Sequence, residues 1–85
     1  MNEQPETDLV VDLNTMDETG LPWAFLDAAA HPERIVPGDY VIAGSGVARA
    51  VARVIDVVDG IVHVQPVRGS VTSNAQLLTR RQLAS

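Results

Sequence analysis

The feature that most constrains the fold is an Asp-Gly pair between two runs rich in valine and isoleucine. Asp59 and Gly60 separate residues 47–58 (VARAVARVIDVV) from residues 61–67 (IVHVQPV). Asp-Gly is a preferred loop of two-residue β-hairpins, because both positions of that turn need a positive φ. The valine spacing in residues 47–58 also fits a helix, but the high share of β-branched residues favours a long, bent strand.

Counting outward from that loop fixes which residues face each other across the hairpin. The expected pairs are Val58 with Ile61, Val57 with Val62, Asp56 with His63, and Ile55 with Val64. The face with positions 55, 57, 62 and 64 is apolar and is expected to pack on the core. The opposite face holds Val54, Asp56 and His63, so that Asp56 and His63 form a cross-strand charge pair.

This pair has two interpretations. A carboxylate beside an imidazole can be half of a catalytic site. However, no serine or cysteine lies at an offset from Asp56 and His63 that fits a catalytic triad. We therefore expect a surface pair that tunes the ionisation of the histidine.

Turn signals flank a second strand before the hairpin. Residues 37–39 (PGD) precede a predicted strand over 40–43 (YVIA), and residues 44–46 (GSG) form the turn after it. Towards the C-terminus, residues 72–74 (TSN) are good helix N-caps. A short helix is predicted to follow over residues 75–83.

The N-terminal region is predicted to contain one helix, over residues 22–30. Pro22 suits a first helical turn, and Trp23 and Leu26 follow at helical spacing. His31 precedes a proline and is expected to end the helix.

The domain organisation follows from these elements. Residues 1–12 are expected to form a flexible acidic arm, in which residues 9–11 (LVV) form a short strand or dock on a neighbour. Residues 13–85 are expected to form a single small domain. The predicted fold class is mainly β with short helices (α+β).

Residues 37–67 resemble an SH3-like small β-barrel of the KOW type. The resemblance is carried by Gly38-Asp39-x-Val41, by Gly44, by the run 51–55 (VARVI), and by Asp59-Gly60-Ile61-Val62-x-Val64. It implies a small closed barrel. KOW-type modules often bind RNA or proteins of the ribosome and of transcription through basic loops, and SH3-like domains also bind peptides on aromatic grooves. Here residues 44–46 carry no base, and Tyr40 is the aromatic residue of the segment.

The charge is divided between the two halves of the chain. The net charge of the 85 residues is −5, but residues 1–39 carry −8 and residues 40–85 carry +3. All basic residues are arginine, which suits forked contacts to planar anions. Such a division can hold the halves together or present two faces of opposite charge to a partner.

Several chemistries are excluded by composition and spacing. The absence of cysteine excludes disulfides, a thiol nucleophile and cysteine-type zinc sites. Two histidines separated by 32 positions give no metal-ligand spacing, and no phosphate-binding loop or apolar run of membrane length is present. Asp17 and Glu18 are adjacent acids that we expect in a solvated turn. We therefore expect no cofactor, no metal, no membrane contact and no enzymatic activity.

The function that remains is a small cytoplasmic interaction module that binds a basic protein surface or a second copy of itself. The residues expected to contact the partner are Trp23, Phe25, Tyr40, Arg49, Arg53, Arg80 and Arg81. One alternative is a nucleic-acid accessory protein that uses the arginines of the C-terminal half, which include Arg68. Another is a viral or structural assembly subunit. A small hydrolase or transferase that uses Asp56 and His63 is the least favoured hypothesis.

Overall fold

The structure is a computed structural model that describes residues 7–78. Five strands form one sheet in the order β1-β3-β4-β5-β2. The strands are β1 (Leu9–Val10), β2 (Trp23–Phe25), β3 (Tyr40–Ser45), β4 (Ala48–Val58) and β5 (Ile61–Pro66). Two short 3₁₀ helices, Leu26–Ala28 and Pro32–Arg34, lie between β2 and β3 in the chain, and residues 75–78 are helical. The predicted class, mainly β with short helices, is confirmed.

The two edges of the sheet come close to each other, so that the sheet is a nearly closed barrel. β1 lies at one edge and runs parallel to β3, and β2 lies at the other edge. Leu9 of β1 makes an antiparallel bridge to Ala29, shortly after β2. The amide of Ala30 also donates to the carbonyl of Asp8 at 2.9 Å. These contacts pair backbone groups that an open sheet edge would leave without partners.

Small aliphatic side chains fill the inside of the barrel. Leu9, Val41, Val54, Val62 and Val64 are fully buried, and no polar or charged residue is buried among residues 7–78. Burying apolar area in this way is the main favourable contribution to folding.

The hairpin predicted from the sequence is confirmed. β4 covers nearly all of residues 47–58 as a strand, and Asp59 and Gly60 have φ values of 52° and 78°, as the expected turn requires. Three predicted pairs are present, namely Val58 with Ile61, Val57 with Val62, and Asp56 with His63.

The fourth pair is wrong, because the register shifts between Val54 and Asp56. Val64 pairs with Val54 instead of Ile55, so Val54 faces the core and Ile55 is only half-buried. In a regular strand Val54 and Asp56 would point to the same face. The β-bulge at Ile55 lets Val54 point inwards and Asp56 outwards.

The predicted helix over 22–30 is also wrong. Trp23–Phe25 forms β2, antiparallel to β5, and only Leu26–Ala28 continues as a 3₁₀ helix. Ala24 is buried, whereas Phe25 is exposed, which is the two-residue alternation of a strand. A helix of nine residues gains too little from local hydrogen bonds to compete with pairing along β5.

The structure describes part of each terminal segment of the chain. Leu9 and Val11, from the segment predicted as an arm, belong to the core cluster. At the other end, residues 75–78 are helical as expected. Residues 1–6 of the predicted arm and residues 79–85 of the predicted helix lie outside the described residues, and Arg80 and Arg81 are among them.

Candidate functional site

The outer face of β2, β5 and β4 brings together most of the chemistry-bearing side chains. His63 lies in β5, directly opposite Asp56 of β4 on one side and Trp23 of β2 on the other. The bulge at Ile55 places the Asp56 side chain on this face. The predicted cross-strand pair of Asp56 and His63 is therefore present.

His63 is held between two carboxylates. Its Nδ1 lies 2.9 Å from Oδ1 of Asp56, and its Nε2 lies 2.6 Å from Oδ2 of Asp17. An ionised carboxylate only accepts hydrogen bonds, so both contacts are hydrogen bonds when the imidazole is protonated and donates from both ring nitrogens. The bond to Asp17 and then the bond to Asp56 raise the pKa of His63, while partial burial opposes them.

Asp17 reaches His63 from the segment before β2. Its Oδ1 accepts from the amide of Thr19 at 2.9 Å and from the Thr19 hydroxyl, and Met16 bridges to Pro22 across the turn. The hydrogen bond from the Thr19 side chain, followed by that from His63, lowers the pKa of Asp17 to about 2. The expected turn is thus present, but sequence reasoning missed the contact with His63, because 46 positions separate the two residues.

The cluster of Asp17, His63 and Asp56 is suited to holding the turn at Asp17 in place through hydrogen bonds and opposite charges. Both ring nitrogens are occupied, so the imidazole has no free nitrogen to act as a general base while the two contacts persist. No group of three His, Cys, Asp or Glu side chains within residues 7–78 could hold a metal ion. What the cluster does is fasten the turn at Asp17 to the barrel.

An aromatic pair lies next to the cluster. The rings of Trp23 and Phe25 meet edge to face, with centroids 5.4 Å apart and an angle of 88° between the planes. Phe25 is 57 % exposed, and Val58, at the end of β4, is 58 % exposed. Ile61 lies between their strands, opposite both residues. We name Trp23, Phe25, Val58 and Ile61 the apolar outer patch.

A groove of about 430 Å³ adjoins this patch. Its lining residues are Phe25, Leu26, Asp27, Pro32, Asp59 and Gly60. The amide of Leu26 donates to the carbonyl of Gly60 at 2.7 Å, which holds the 3₁₀ helix beside the hairpin turn. Within residues 7–78, the carboxylates of Asp27 and Asp59 make no hydrogen bond or ion pair.

The other predicted contact residues that the structure describes lie elsewhere on the barrel. Tyr40 of β3 is directly opposite Arg53 of β4, and Arg49 lies on the same side of β4, four residues earlier. Arg53 is exposed, whereas Tyr40 and Arg49 are half-buried. The structure therefore separates the described members of the predicted set into Trp23 and Phe25 on β2 and a second group, Tyr40 on β3 with two arginines on β4.

Sequence reasoning did not identify the groove. Asp59 was recognised only as a turn residue, and Asp27 was assigned to a helix that does not form. The groove exists because β2 ends at Phe25 and the chain turns back beside Gly60, which is a tertiary arrangement.

No protein-family model, curated protein or solved structure matches the chain. Among residues 7–78, no helix has the length and apolar character needed to cross a membrane.

Proposed function

We propose that this chain is a small, non-catalytic interaction domain that binds a basic surface of another protein. The observation that carries the proposal is the apolar outer patch beside the carboxylates of Asp27 and Asp59, which have no hydrogen-bond or ion-pair partner within residues 7–78. Aromatic side chains that remain exposed are typical anchors of protein interfaces. Surrounding acidic groups attract and orient a basic partner.

The composition of this face supports the proposal. Phe25 is more than half exposed, although burial in the core would stabilise the fold. A phenylalanine at an exposed position beside acidic residues is more useful for binding than for stability. The half-buried cluster around His63 fixes the neighbouring surface in one arrangement, which lowers the entropy lost on binding.

The proposal includes the fold family. The nearly closed five-stranded sheet is compatible with an SH3-like barrel. The assignment to the KOW type rests on the sequence pattern around Gly38, Gly44 and the Asp59-Gly60 turn. A role in protein binding agrees with the use of small barrels of this kind as recognition modules.

Affinity capture with two matched variants tests the proposal. The full chain is immobilised and incubated with a lysate of the cell that produces it. Retained proteins are then cross-linked to the chain, and the linked positions are mapped by mass spectrometry. Phe25→Asp should abolish retention of the partner, because it places a charge in the apolar outer patch. Val47→Asp makes the same chemical change at a fully exposed position outside the patch and should retain the partner.

Three outcomes contradict the proposal. Equal retention by Phe25→Asp and Val47→Asp would remove the patch from the interface. Nuclease-sensitive retention that depends on Arg53 would favour the nucleic-acid alternative. Retention of nothing but further copies of the chain, confirmed by light scattering, would favour self-association.

A further inference from the structure

The groove beside Phe25 has apolar walls and a negative charge. Leu26 and Pro32 supply aliphatic surface, Phe25 supplies an aromatic ring, and Asp27 and Asp59 supply the two carboxylates. Among the residues that the structure describes, none that lines the groove is basic. Arg34, two residues after Pro32, is exposed and is not part of the lining. This combination is complementary to a cation on an apolar stem.

We propose that the groove holds one arginine side chain from a basic segment of the partner protein. This inference rests on the proposed function and assigns a specific contact within it. The volume, about 430 Å³, lies near the lower end of the range of roughly 300–1,000 Å³ for ligand pockets, which suits one long side chain rather than a helix.

Arginine fits these groups better than lysine does. A guanidinium is planar, stacks on an aromatic face such as that of Phe25, and carries five donors that can be shared between carboxylates. An ammonium is a compact, strongly hydrated charge that loses more hydration on entering an apolar groove. The methylene groups of the stem would contact Leu26 and Pro32.

The groove is built before the ligand arrives. The turn at Asp59 and Gly60 is fixed by its two positive φ angles, and the bond from Leu26 to Gly60 fixes the opposite wall. A site that needs little reorganisation binds with a smaller entropic cost. Phe25 is paired with Ile61 of β5 and Leu26 is hydrogen-bonded to Gly60, so this part of the lining lies on hydrogen-bonded backbone.

A peptide titration followed by NMR tests the inference. The full chain is titrated with a capped Gly-Gly-Arg-Gly-Gly peptide and, separately, with the same peptide carrying citrulline, a neutral analogue of arginine. The amide signals of Leu26, Asp27, Asp59 and Gly60 should move. The arginine peptide should bind up to about fivefold more tightly than the citrulline peptide, because one exposed ion pair contributes up to about 1 kcal/mol.

Three single-charge variants locate the binding. Asp27→Asn and Asp59→Asn should each weaken arginine binding several-fold, and asparagine is suitable at position 59 because it tolerates positive φ. Glu18→Gln makes the same change in charge at an exposed residue outside the groove and should leave the affinity unchanged.

Each contrary result has a distinct meaning. If the citrulline peptide binds equally well, or if the amide signals that move all belong to residues outside the groove, the proposed site is wrong. Equal binding of a lysine peptide overturns the choice of arginine. If the wild-type chain self-associates and Asp59→Asn does not, the arginine in the groove comes from a second copy of the chain and not from another protein. In all of these cases the capture experiment with Phe25→Asp remains an independent test of the proposed function.

Discussion

The inner and outer faces of β4 and β5 are made from the same two strands but differ in what they carry. Inside, Val54, Val62 and Val64 are fully buried in an apolar cluster. Outside, the same strands carry Asp56, His63 and an exposed Val58. The inner face supplies the burial that holds the barrel together, so the outer face is free to carry charge and exposed apolar surface.

One inserted residue keeps the two faces distinct. The bulge at Ile55 changes the alternation of β4 between Val54 and Asp56. Without it, the register set at Val54 would direct the Asp56 carboxylate into the apolar interior, where an unpaired charge is very costly. The bulge therefore serves the stability of the core and the geometry of the His63 cluster at once.

The largest expected effect comes from truncating the inner face. Val54→Ala removes fully buried methyl groups and should lower the free energy of unfolding by about 2–3 kcal/mol. Val58→Ala makes the same change at the exposed end of the same strand and should alter it by no more than about 0.5 kcal/mol. Urea denaturation measures both values, and similar losses in the two variants would refute the assignment of the faces.

Much of the inner face could be predicted from sequence. The Asp59-Gly60 turn and the alternation of valines define the hairpin and three of its pairs, because the turn geometry fixes the register near the loop. The bulge at Ile55 could not be predicted from the turn, since it depends on which valine fits the core. The predicted helix over 22–30 failed for a related reason, because pairing with β5 decided the local structure.

The outer face was harder to predict. Asp56 and His63 are linked by the hairpin and could be paired from the sequence. Asp17 and the groove depend on contacts between segments that are distant in the chain, and no local pattern marks such contacts. The identity of Trp23 and Phe25 as contact residues stays a prediction.

The next expected effect is a pH dependence of stability that is specific to the outer face. The pKa of His63 is raised in the folded state above its unfolded value of 6.5. The protonated His63 therefore stabilises the fold fully below pH 6.5, and this contribution is lost as pH rises through the higher folded pKa. Asp17, with a pKa of about 2, adds stabilisation above its unfolded value of 3.8 that is lost as pH falls towards 2. The cluster should therefore stabilise the fold most between these two unfolded values.

Urea denaturation over a range of pH checks this window. Stability of the wild type should fall as pH rises through the folded pKa of His63, and His63→Asn should lack that fall. His31→Asn is the control, because His31 is an exposed histidine outside the cluster, with its Nδ1 3.7 Å from Oε2 of Glu33. A fall that persists unchanged in His63→Asn would mean that another group causes it.

A finer test separates the contribution of Asp17 from that of its turn. Asp17→Asn keeps an oxygen that accepts from the Thr19 amide but removes the charge beside the imidazole, so the pKa of His63 should fall. Asp12→Asn alters a similar turn, in which Asp12 accepts from Asn14 at 3.0 Å, and it should leave His63 unchanged. An NMR titration of the His63 ring measures both. Equal pKa values in wild type and Asp17→Asn would show that the Asp17 contact has no electrostatic effect.

A small expected change in stability belongs to Phe25, the residue that the proposed function makes central to recognition. Phe25→Leu keeps an apolar side chain but loses the edge-to-face contact with Trp23, so the free energy of unfolding should fall by about 1 kcal/mol or less. The same variant loses the aromatic face that a guanidinium would stack on, so arginine-peptide affinity should fall about threefold. A large loss of stability with unchanged binding would instead place Phe25 among the structural residues. A small loss of stability together with weaker arginine-peptide binding would distinguish Phe25 from the residues of the inner face, because the proposed function gives its side chain a partner contact rather than a place in the core.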